Sequence, residues 1–479
     1  MKPALTGREV DSFYHLSDVP MDHRCCRGTS CFAAKHLDGA TWRKALEQSP
    51  PVYCLGKCYA SPSTTETTGD PPVQFACSDP IVLAGVDAFD QQSLEGYCRH
   101  GGYSALEKAR ASAPEKTVAE VELSQLRGRG GAGFPAGRKW RSVFCESAVT
   151  KYVVANADEG DHGTYIDRFI MERVPHRLIE ALALAGHAVG ARKGYIYLRK
   201  EYPVAEAAVR KAMGEAESVL AGFEIELIIG QGSYVCGEET SLLNSIEHRR
   251  PEVRARPPYP TAHGLFNMPT LVNNVETLAS IPWIVLHNGA AYAARGFSRS
   301  RGTKAVSLNS LFKRPGLYEL EFGVPLRYIL EELGGGLVSG DFKAAIVGGP
   351  LAGLIHPSEF DVPFGFEEMA AIGGAMGHGG IVAFDSNTRM LELLAHIFDF
   401  GAIESCGKCT PCRHGTRRAQ QLFATAAYER HLSDEESREL RSILNALART
   451  SLCGHGTGLA VFAESIFEKF AEEVAPCFS

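Results

Sequence analysis

Three cysteines stand in a C-x2-C-x2-C row inside the stretch ESCGKCTPCRHGT, residues 404–416. They are Cys406, Cys409 and Cys412, and the next cysteine, Cys453, follows after 40 intervening residues. A helical hairpin of that length can return the chain to its start, so four thiolates can meet. Such a set suits a cubane [4Fe–4S] cluster. Structural zinc usually uses two separated C-x2-C pairs, so we favour iron–sulfur over zinc here.

Four more cysteines form two short pairs near the N-terminus. Cys26 and Cys31 have C-x4-C spacing, and Cys54 and Cys58 have C-x3-C spacing. Two pairs of thiols suit either a [2Fe–2S] cluster or a zinc ion, and the spacing does not separate these two alternatives. Cys25 is an alternative to Cys26, because the two residues are adjacent.

A glycine-rich stretch, RGRGGAGFPAGRKW at 127–140, holds five glycines in ten positions and then Arg138 and Lys139. Glycines let backbone N–H groups approach a phosphate, and a following cation balances its charge. The stretch is neither a Walker A sequence nor a G-x-G-x-x-G turn behind a strand. An inert surface loop is the alternative interpretation.

Carboxylates and amides cluster in three further motifs. NADEGD and YVCGEET supply acids that either cap helices or accept hydrogen bonds from ribose or ribityl hydroxyls. LVNNVETLASIP supplies paired asparagines before a helix-like run, where Asn is more often a cap than a ligand. The residues concerned are Asn156, Asp158, Glu159, Asp161, Glu238, Glu239, Asn273 and Asn274.

Strands and helices alternate between residues 150 and 250, which predicts a parallel or mixed sheet covered by helices. The predicted strands are KYVVANADE, KGYIYLR and FEIELIIG. The predicted helices start near Pro175 and Tyr202, and Gly222 closes the second one. Ligands of such sheets bind beyond the carboxyl ends of the strands, which is where the acidic motifs lie.

The flanking segments have other characters. Residues 80–110 suggest a connector with short helical pieces, and 300–385 is Gly-rich and strand-like, which predicts a small α+β domain. After 388 the pattern is helical, with a capping box formed by Ser433 and Glu436.

Composition limits the function classes. A chain of 479 residues suggests about three or four domains. The net charge of −7 argues against a nucleic-acid binder, and we find neither an apolar run long enough to span a membrane nor a secretory signal. The 14 cysteines cluster at short spacings, which favours metal binding in a reducing cytoplasm.

Taken together, these stretches resemble the flavoprotein component of the NADH-oxidising module of respiratory complex I. They are also similar to its relatives in NAD-linked hydrogenases and in molybdenum or tungsten formate dehydrogenases. The resemblance runs from about residue 120 to the C-terminus and rests on six motifs in the family's order: RGRGGAGFPAGRKW, NADEGD, YVCGEET, RPPYP, VNNVET and ESCGKCTPC.

The first 70 residues resemble the thioredoxin-like [2Fe–2S] domain of complex I, here fused and lacking the helical extension before the first cysteine. This fusion looks most like the beta subunit of NAD-dependent formate dehydrogenases, and next most like the diaphorase subunit of bidirectional hydrogenases. The resemblance implies an α/β and α+β multidomain fold. Its regions are a thioredoxin-like domain (1–80), a connector (81–120), a Rossmann-like FMN and NADH domain (121–300), a β-grasp, ubiquitin-like (SLBB-like) domain (301–387) and a C-terminal helical bundle holding an iron–sulfur cluster (388–479).

The resemblance also implies roles for residues at matching motif positions. Those expected to contact FMN are Gly128, Arg129, Gly130, Lys139, Asn156, Asp158, Tyr234, Gly237, Glu238, Glu239, Asn273 and Asn274. Glu159 would lie at the flavin edge, and Phe134 would stack on the adenine of NADH. Asp161, Arg256 and Tyr259 would meet the nucleotide.

This chain departs from the family's pattern around the nucleotide. Asp161 stands where Glu is usual, His162 where Pro is usual, and Ser142 where a second stacking Phe is common. Arg256 and Tyr259 stand for the usual Lys and Phe. These changes bear on nucleotide affinity more than on the flavin site.

The implied function is that of a cytoplasmic diaphorase subunit. Electrons pass between NAD(H), FMN and iron–sulfur clusters, and no side chain acts as a catalytic acid or base in the hydride transfer. The expected partner is a molybdenum or tungsten catalytic alpha subunit with further iron–sulfur clusters, and a small [2Fe–2S] gamma subunit is compatible with it. Alternatives are the diaphorase of a soluble hydrogenase or of complex I, and, more remotely, a zinc-binding scaffold.

Overall fold

The computed structural model describes residues 14–17, 20–37, 39–48 and 51–478. Two large hydrophobic clusters lie in this part of the chain. One sits under the nucleotide-binding sheet and its helices, and the other joins the 301–387 region to the C-terminal helices.

A four-stranded parallel sheet forms the centre of the 121–300 region. Its strand order is Glu224–Gly230, Lys193–Arg199, Tyr152–Ala157, Thr270–Asn274. The first three strands confirm the sequence prediction. The fourth was not predicted, because its five residues end in two asparagines and resemble a helix cap. Since all four strands run parallel, their carboxyl ends meet at one edge.

Helices surround this sheet. The helix Pro175–Val189 begins with proline and ends at Gly190 in the left-handed conformation, as its composition predicts. The helix Pro203–Leu220 ends with Ala221 and Gly222 at positive φ. The remaining helices are Leu94–Arg99, Ser104–Arg110, Pro114–Leu123, Ala136–Cys145, Ile166–Arg173, Glu239–Ile246, Pro260–His263, Val275–Ala279, Ile281–His287 and Gly289–Ala293.

A six-stranded mixed sheet forms the predicted α+β region. Its order is Leu354–Ile355, Phe342–Val347, Gly380–Asp385, Thr303–Leu308, Gly316–Glu321, Val73–Phe75. A π-helical turn, Tyr328–Leu333, and the helix Phe366–Ala371 accompany it.

The edge strand of this sheet, Val73–Phe75, comes from the predicted N-terminal domain. It pairs in parallel with Gly316–Glu321, and the backbone bonds Leu317 N–H to Pro72 O and Ala76 N–H to Glu319 O extend the pairing on both sides. The sheet therefore includes residues on both sides of the predicted boundary at residue 80.

The rest of the N-terminal region is short-stranded. Cys25–Cys26 pairs in parallel with Pro51–Val52, and the helices are Thr29–Ala33 and Gly39–Gln48. Cys54 and Cys58 belong to the same hydrophobic cluster as the main sheet, so this region packs directly on the nucleotide domain.

The C-terminal region is helical, as predicted. Its main helices are Met390–Ile403, Thr410–Tyr428, Asp434–Thr450 and Gly454–Lys469. Ser433 and Glu436 form the predicted capping box, with both reciprocal hydrogen bonds present. No helix in the described part of the chain combines the length and the apolar character needed to span a bilayer.

Candidate functional site

Two adjoining cavities, of about 640 and 380 Å³, open at the carboxyl edge of the four-stranded sheet. We call the first the outer cavity and the second the inner cavity. Both are lined by Gly130, Asn156, Gly237, Glu238, Asn274, Cys453 and Gly454. The sequence motifs thus converge on one continuous cleft.

The glycine-rich loop forms one wall of the outer cavity. Gly128 N–H donates to Phe134 O at 2.9 Å, which closes the loop on itself. A Cβ on Gly130 would lie 2.8 Å from the Cβ of Asn274, so only glycine permits this approach. The helix Ala136–Cys145 starts directly after the loop, and Arg138 and Lys139 in its first turn line the cavity. Backbone N–H groups and two cations make this wall suited to a phosphate.

Ion pairs cross the outer cavity. Lys139 Nζ lies 2.6 Å from Glu239 Oε2, and Arg256 Nη1 lies 3.4 Å from Glu239 Oε1. Glu238 accepts the N–H groups of Thr240 and Ser241, so it caps the helix Glu239–Ile246, and its other oxygen lies 3.5 Å from Arg256. The helix-cap role predicted as one alternative for Glu238 is present, and its side chain still lines the cleft.

The three asparagines are held by their neighbours. Asn156 Nδ2 donates to Gly237 O at 2.8 Å, and Asn273 Oδ1 accepts from Trp140 Nε1 at 3.0 Å. Asn274 caps the helix Val275–Ala279 through Oδ1. Each of the three lines the outer cavity, so each combines a local structural bond with a place at the cleft.

Two aspartates line the inner cavity. Asp161 Oδ1 accepts from Tyr234 OH at 2.6 Å. Asp158 Oδ2 is buried without a hydrogen-bond partner among the described residues, although Arg199 Nε lies 3.7 Å from the other oxygen. Burial raises the pKa of both carboxyls above the usual range. An unpartnered buried oxygen at the cleft suits a ligand that brings hydroxyl donors, as the ribityl chain of FMN does.

Two predicted residues do not line either cavity with their side chains. Arg129 is fully buried, and its Nη2 donates to Tyr292 OH and Arg301 O. Glu159 accepts the N–H groups that begin the helix Ile166–Arg173, at 2.7–3.0 Å. A buried helix start requires such an acceptor, so the carboxylate of Glu159 supports the loop from behind and not from the flavin edge.

Exposed rings flank the outer cavity. Phe134 is 47% exposed and Tyr259 is 58% exposed, and both line it. Such rings suit stacking against a flat heterocycle. Ser142 also lines the cavity, whereas Phe144 packs against the hydrophobic core, so the serine is not replaced by its aromatic neighbour.

Residues from other regions complete the inner cavity and were not predicted. His378 lines it, with Nε2 2.7 Å from Asp167 Oδ2. Burial opposes the charge of His378, but Asp167 and Glu159 outweigh it and raise the pKa of His378 to about 9. Gly377 forms a β-bridge with Gly131, which fastens the glycine-rich loop to the six-stranded sheet. The only sequence signal was a histidine between glycines in MGHGG.

The C-terminal cysteines come together as predicted. Cys409 and Cys453 each cap the start of a helix, and Cys406 packs beside Cys453. Burial raises the pKa of Cys412 to about 12 and that of Cys453 to about 11. Thiols in such surroundings ionise when a metal centre supplies positive charge, so the four fit a cluster.

The N-terminal cysteines also meet. Cys54 Sγ lies 3.7 Å from Cys58 Sγ, and Cys26 hydrogen-bonds with Cys31 and Cys54. All four are buried. The thiol of Cys25 instead contacts Cys26 O at 4.0 Å, so the geometry favours Cys26 over Cys25 as the fourth member.

Comparison with known proteins decides the family. The family description "Nuo51 FMN-binding domain" matches residues 121–283, and "NADH-ubiquinone oxidoreductase-F iron-sulfur binding region" matches 392–476. The second F-type component of the NADH-quinone oxidoreductase of Rhizobium meliloti is 40% identical over 408 residues, which cover 82% of this chain and 96% of that protein. The chain belongs to the NADH-quinone oxidoreductase-F family.

This family includes relatives in hydrogenases. HndC, a component of the NADP-reducing hydrogenase of Solidesulfovibrio fructosivorans, is 38% identical over 395 residues, covering 80% of each chain. The crystal structure of an NAD+-reducing [NiFe]-hydrogenase in the H2-reduced state matches with a TM-score of 0.84 at 26% identity, covering 98% of this chain and 87% of that one. The multidomain α/β fold with a helical C-terminal region is thereby confirmed.

The chain is an NAD(H)-dependent oxidoreductase module of the diaphorase type, with an FMN-binding domain and a 4Fe–4S region. These parts of the sequence prediction are confirmed. The more specific likeness to formate dehydrogenase, the [2Fe–2S] centre and the individual site residues stay predictions.

Proposed function

We propose that the cleft exchanges a hydride between NAD(H) and bound FMN, and that electrons pass one at a time through a [4Fe–4S] cluster on Cys406, Cys409, Cys412 and Cys453. The observation that carries this proposal is the position of Cys453, which lines both cavities of the cleft. FMN, when bound, links the two-electron chemistry of nicotinamide to the one-electron chemistry of iron–sulfur clusters.

The protein's part is binding, orientation and charge compensation. The backbone of the glycine-rich loop, with Lys139, would hold the phosphate, and the Asp158 oxygen would accept a hydroxyl. Asn156, Asn273 and Asn274 are already fixed by neighbours, so they can present their remaining polar atoms without reordering. Phe134 and Tyr259 would hold the adenine at the mouth.

The proposed function is tested on the full chain loaded with FMN, iron and sulfide. We expect NADH to reduce ferricyanide, and the protein to carry one FMN and a brown iron–sulfur spectrum. A colourless protein that binds zinc and no flavin would establish the scaffold alternative.

The N-terminal cysteines would hold a [2Fe–2S] cluster. The four are buried in two close pairs, and the hydroxyls of Ser61 and Ser63 lie 3.6 Å from Cys31 Sγ, where they can donate to a thiolate. Zinc is the alternative, and metal analysis of the full chain separates the two.

For the catalytic partner, a molybdenum or tungsten formate dehydrogenase subunit remains the proposal from the fused N-terminal region. A hydrogenase or a quinone-reducing complex is the second candidate, and the match covering 98% of this chain favours it. Purifying the native complex and identifying its largest subunit decides between them.

A further inference from the structure

The two segments that carry the C-terminal cysteines contain cations and no acids. Residues 405–428 include four lysines or arginines and no Asp or Glu, and residues 440–463 include two arginines and no Asp or Glu. The whole chain has a net charge of −7. The surroundings of the four-cysteine centre therefore have the opposite sign to the molecule.

Several of these cations gather over the cysteine row. Arg413 Nη1 donates to Gly407 O at 3.4 Å, and Arg250 Nη2 donates to Cys406 O at 3.1 Å. Arg417 lies one helical turn from Arg413 and shares its face. Lys408 stands inside the row itself. We call Arg250, Lys408, Arg413 and Arg417, all exposed, the basic face.

Internal carboxylates neutralise this face only in part. Lys408 Nζ pairs with Glu252 Oε1 at 2.7 Å, and the nearby Arg418 pairs with Glu439 at 2.6 Å. Among the ion pairs of the described residues, none involves Arg413 or Arg417. Two guanidinium groups thus remain available to an external anionic surface.

The cysteine centre approaches the surface at the same place. Cys406 and Cys412 are 8% and 5% exposed, whereas Cys409, beside Lys408, is more accessible. Leu452, next to Cys453, is 47% exposed. A partly exposed redox centre with an apolar residue and a rim of cations has the layout of a protein docking site.

We propose that the basic face docks an acidic one-electron carrier domain of the partner, of the iron–sulfur type. The inference rests on the proposed function and specifies its partner. One NADH would reduce two such carriers in successive one-electron steps, yielding NAD+, one proton and two reduced carriers. Because the rest of the molecule is net negative, an acidic carrier is repelled elsewhere and steered to this face.

The test uses the loaded full chain and three acceptors: an acidic plant-type [2Fe–2S] ferredoxin, basic cytochrome c, and ferricyanide. With NADH as donor, we expect kcat/KM for ferredoxin to exceed that for cytochrome c at low ionic strength and to fall steeply with added salt. Arg413→Glu with Arg417→Glu should lower the ferredoxin rate at least tenfold and flatten its salt dependence.

Arg192→Glu is the matched control for each charge reversal. Arg192 is an exposed arginine that directly precedes the strand Lys193–Arg199, at the opposite edge of the sheet from the cleft. We expect it to leave the ferredoxin rate within twofold. If the double variant retains less iron than the wild type, Arg417→Glu alone, farther from the cysteines, replaces it and changes the net charge by the same amount as the control.

Calorimetric binding of oxidised ferredoxin at low salt gives a readout without turnover. Binding that weakens in the Arg413/Arg417 variant and not in Arg192→Glu supports the docking proposal. Equal binding in both variants, or a preference for cytochrome c, overturns it. Loss of ferricyanide reduction in the wild type would refute the proposed function instead, and the binding comparison would still decide the docking surface.

Discussion

Lys139 Nζ and Glu239 Oε2 lie 2.6 Å apart, so the cation that follows the glycine-rich loop is bound to the first residue of the facing helix. The side chains of both residues are about one-fifth exposed, at 22% and 19%. An arriving phosphate would share Lys139 with this carboxylate. The pair therefore places the ammonium group in advance and keeps the cleft close to electrical balance.

Replacing Lys139 tests its predicted role at the phosphate. Lys139→Ala removes a charge-assisted contact worth about 1.5–3 kcal/mol, so we expect FMN to bind roughly tenfold or more weakly. Flavin retained after dialysis at low protein concentration measures this. Lys139→Arg should retain most of the flavin, and full retention by the alanine variant would contradict the assignment.

Removing Cys453 tests the fourth ligand of the C-terminal centre. Cys453→Ala should lower the iron content by about one cluster, since three thiolates hold a cubane poorly, and leave FMN bound. Iron analysis and the EPR spectrum of the reduced protein report the change. Cys477→Ala, in a cysteine outside the four, is the control, and equal iron in both variants would reject Cys453 as a ligand.

The N-terminal centre can be tested in the full chain. Cys54→Ser should remove about two iron atoms and the ferredoxin-like absorption of a [2Fe–2S] cluster, and leave the other cluster intact. Cys25→Ser should change neither, because its thiol faces Cys26 O. A wild-type protein that takes up zinc in place of iron at this site would establish the zinc alternative.

Nucleotide choice depends on charge at the outer cavity. Arg256 is paired with both Glu238 and Glu239, so we expect NADH to exceed NADPH by tenfold or more in kcat/KM, about 1.4 kcal/mol. Asp161 is in the inner cavity and does not line the outer one, so its predicted contribution is weaker than that of the two glutamates. Arg256→Ala should preserve the preference. Equal rates with both nucleotides in the wild type would show that Arg256 binds the 2′-phosphate.

The pair between His378 and Asp167 predicts a pH dependence of stability. The folded-state pKa of His378 is raised to about 9, so its stabilisation is complete below its unfolded value of about 6.5 and is lost as pH rises through about 9. The thermal midpoint of the flavin-free chain should therefore fall between about pH 6.5 and about pH 9.5. His378→Gln should flatten this fall, and an unchanged slope would show that other groups cause it.

The elements around the cleft were predictable where local pattern decides them. Three strands with polar tails and two proline-started helices followed from spacing alone. The strand Thr270–Asn274 was missed because its asparagines also suit a helix cap, and the structure shows that Asn274 ends the strand and caps the next helix. Such a double role is set by tertiary contacts.

The site residues divide in the same way. The motif residues converge on the cleft, yet motif matching cannot tell which side of a loop a side chain faces. Arg129 and Glu159 face the buried side, where a tyrosine hydroxyl and a helix start require them. His378 comes from a separate region of the chain, and its place beside Asp167 depends on the packing of that region against the nucleotide domain.

The edge strand Val73–Phe75 has a consequence for the N-terminal centre. By adding itself to the six-stranded sheet, this segment anchors the end of the cysteine-bearing region, while Cys54 and Cys58 are packed into the core of the nucleotide domain. The region cannot swing outward without breaking a sheet and opening a core. Its metal centre is therefore a stationary electron reservoir at constant distance from the cleft, in contrast to a mobile arm that carries charge between partners.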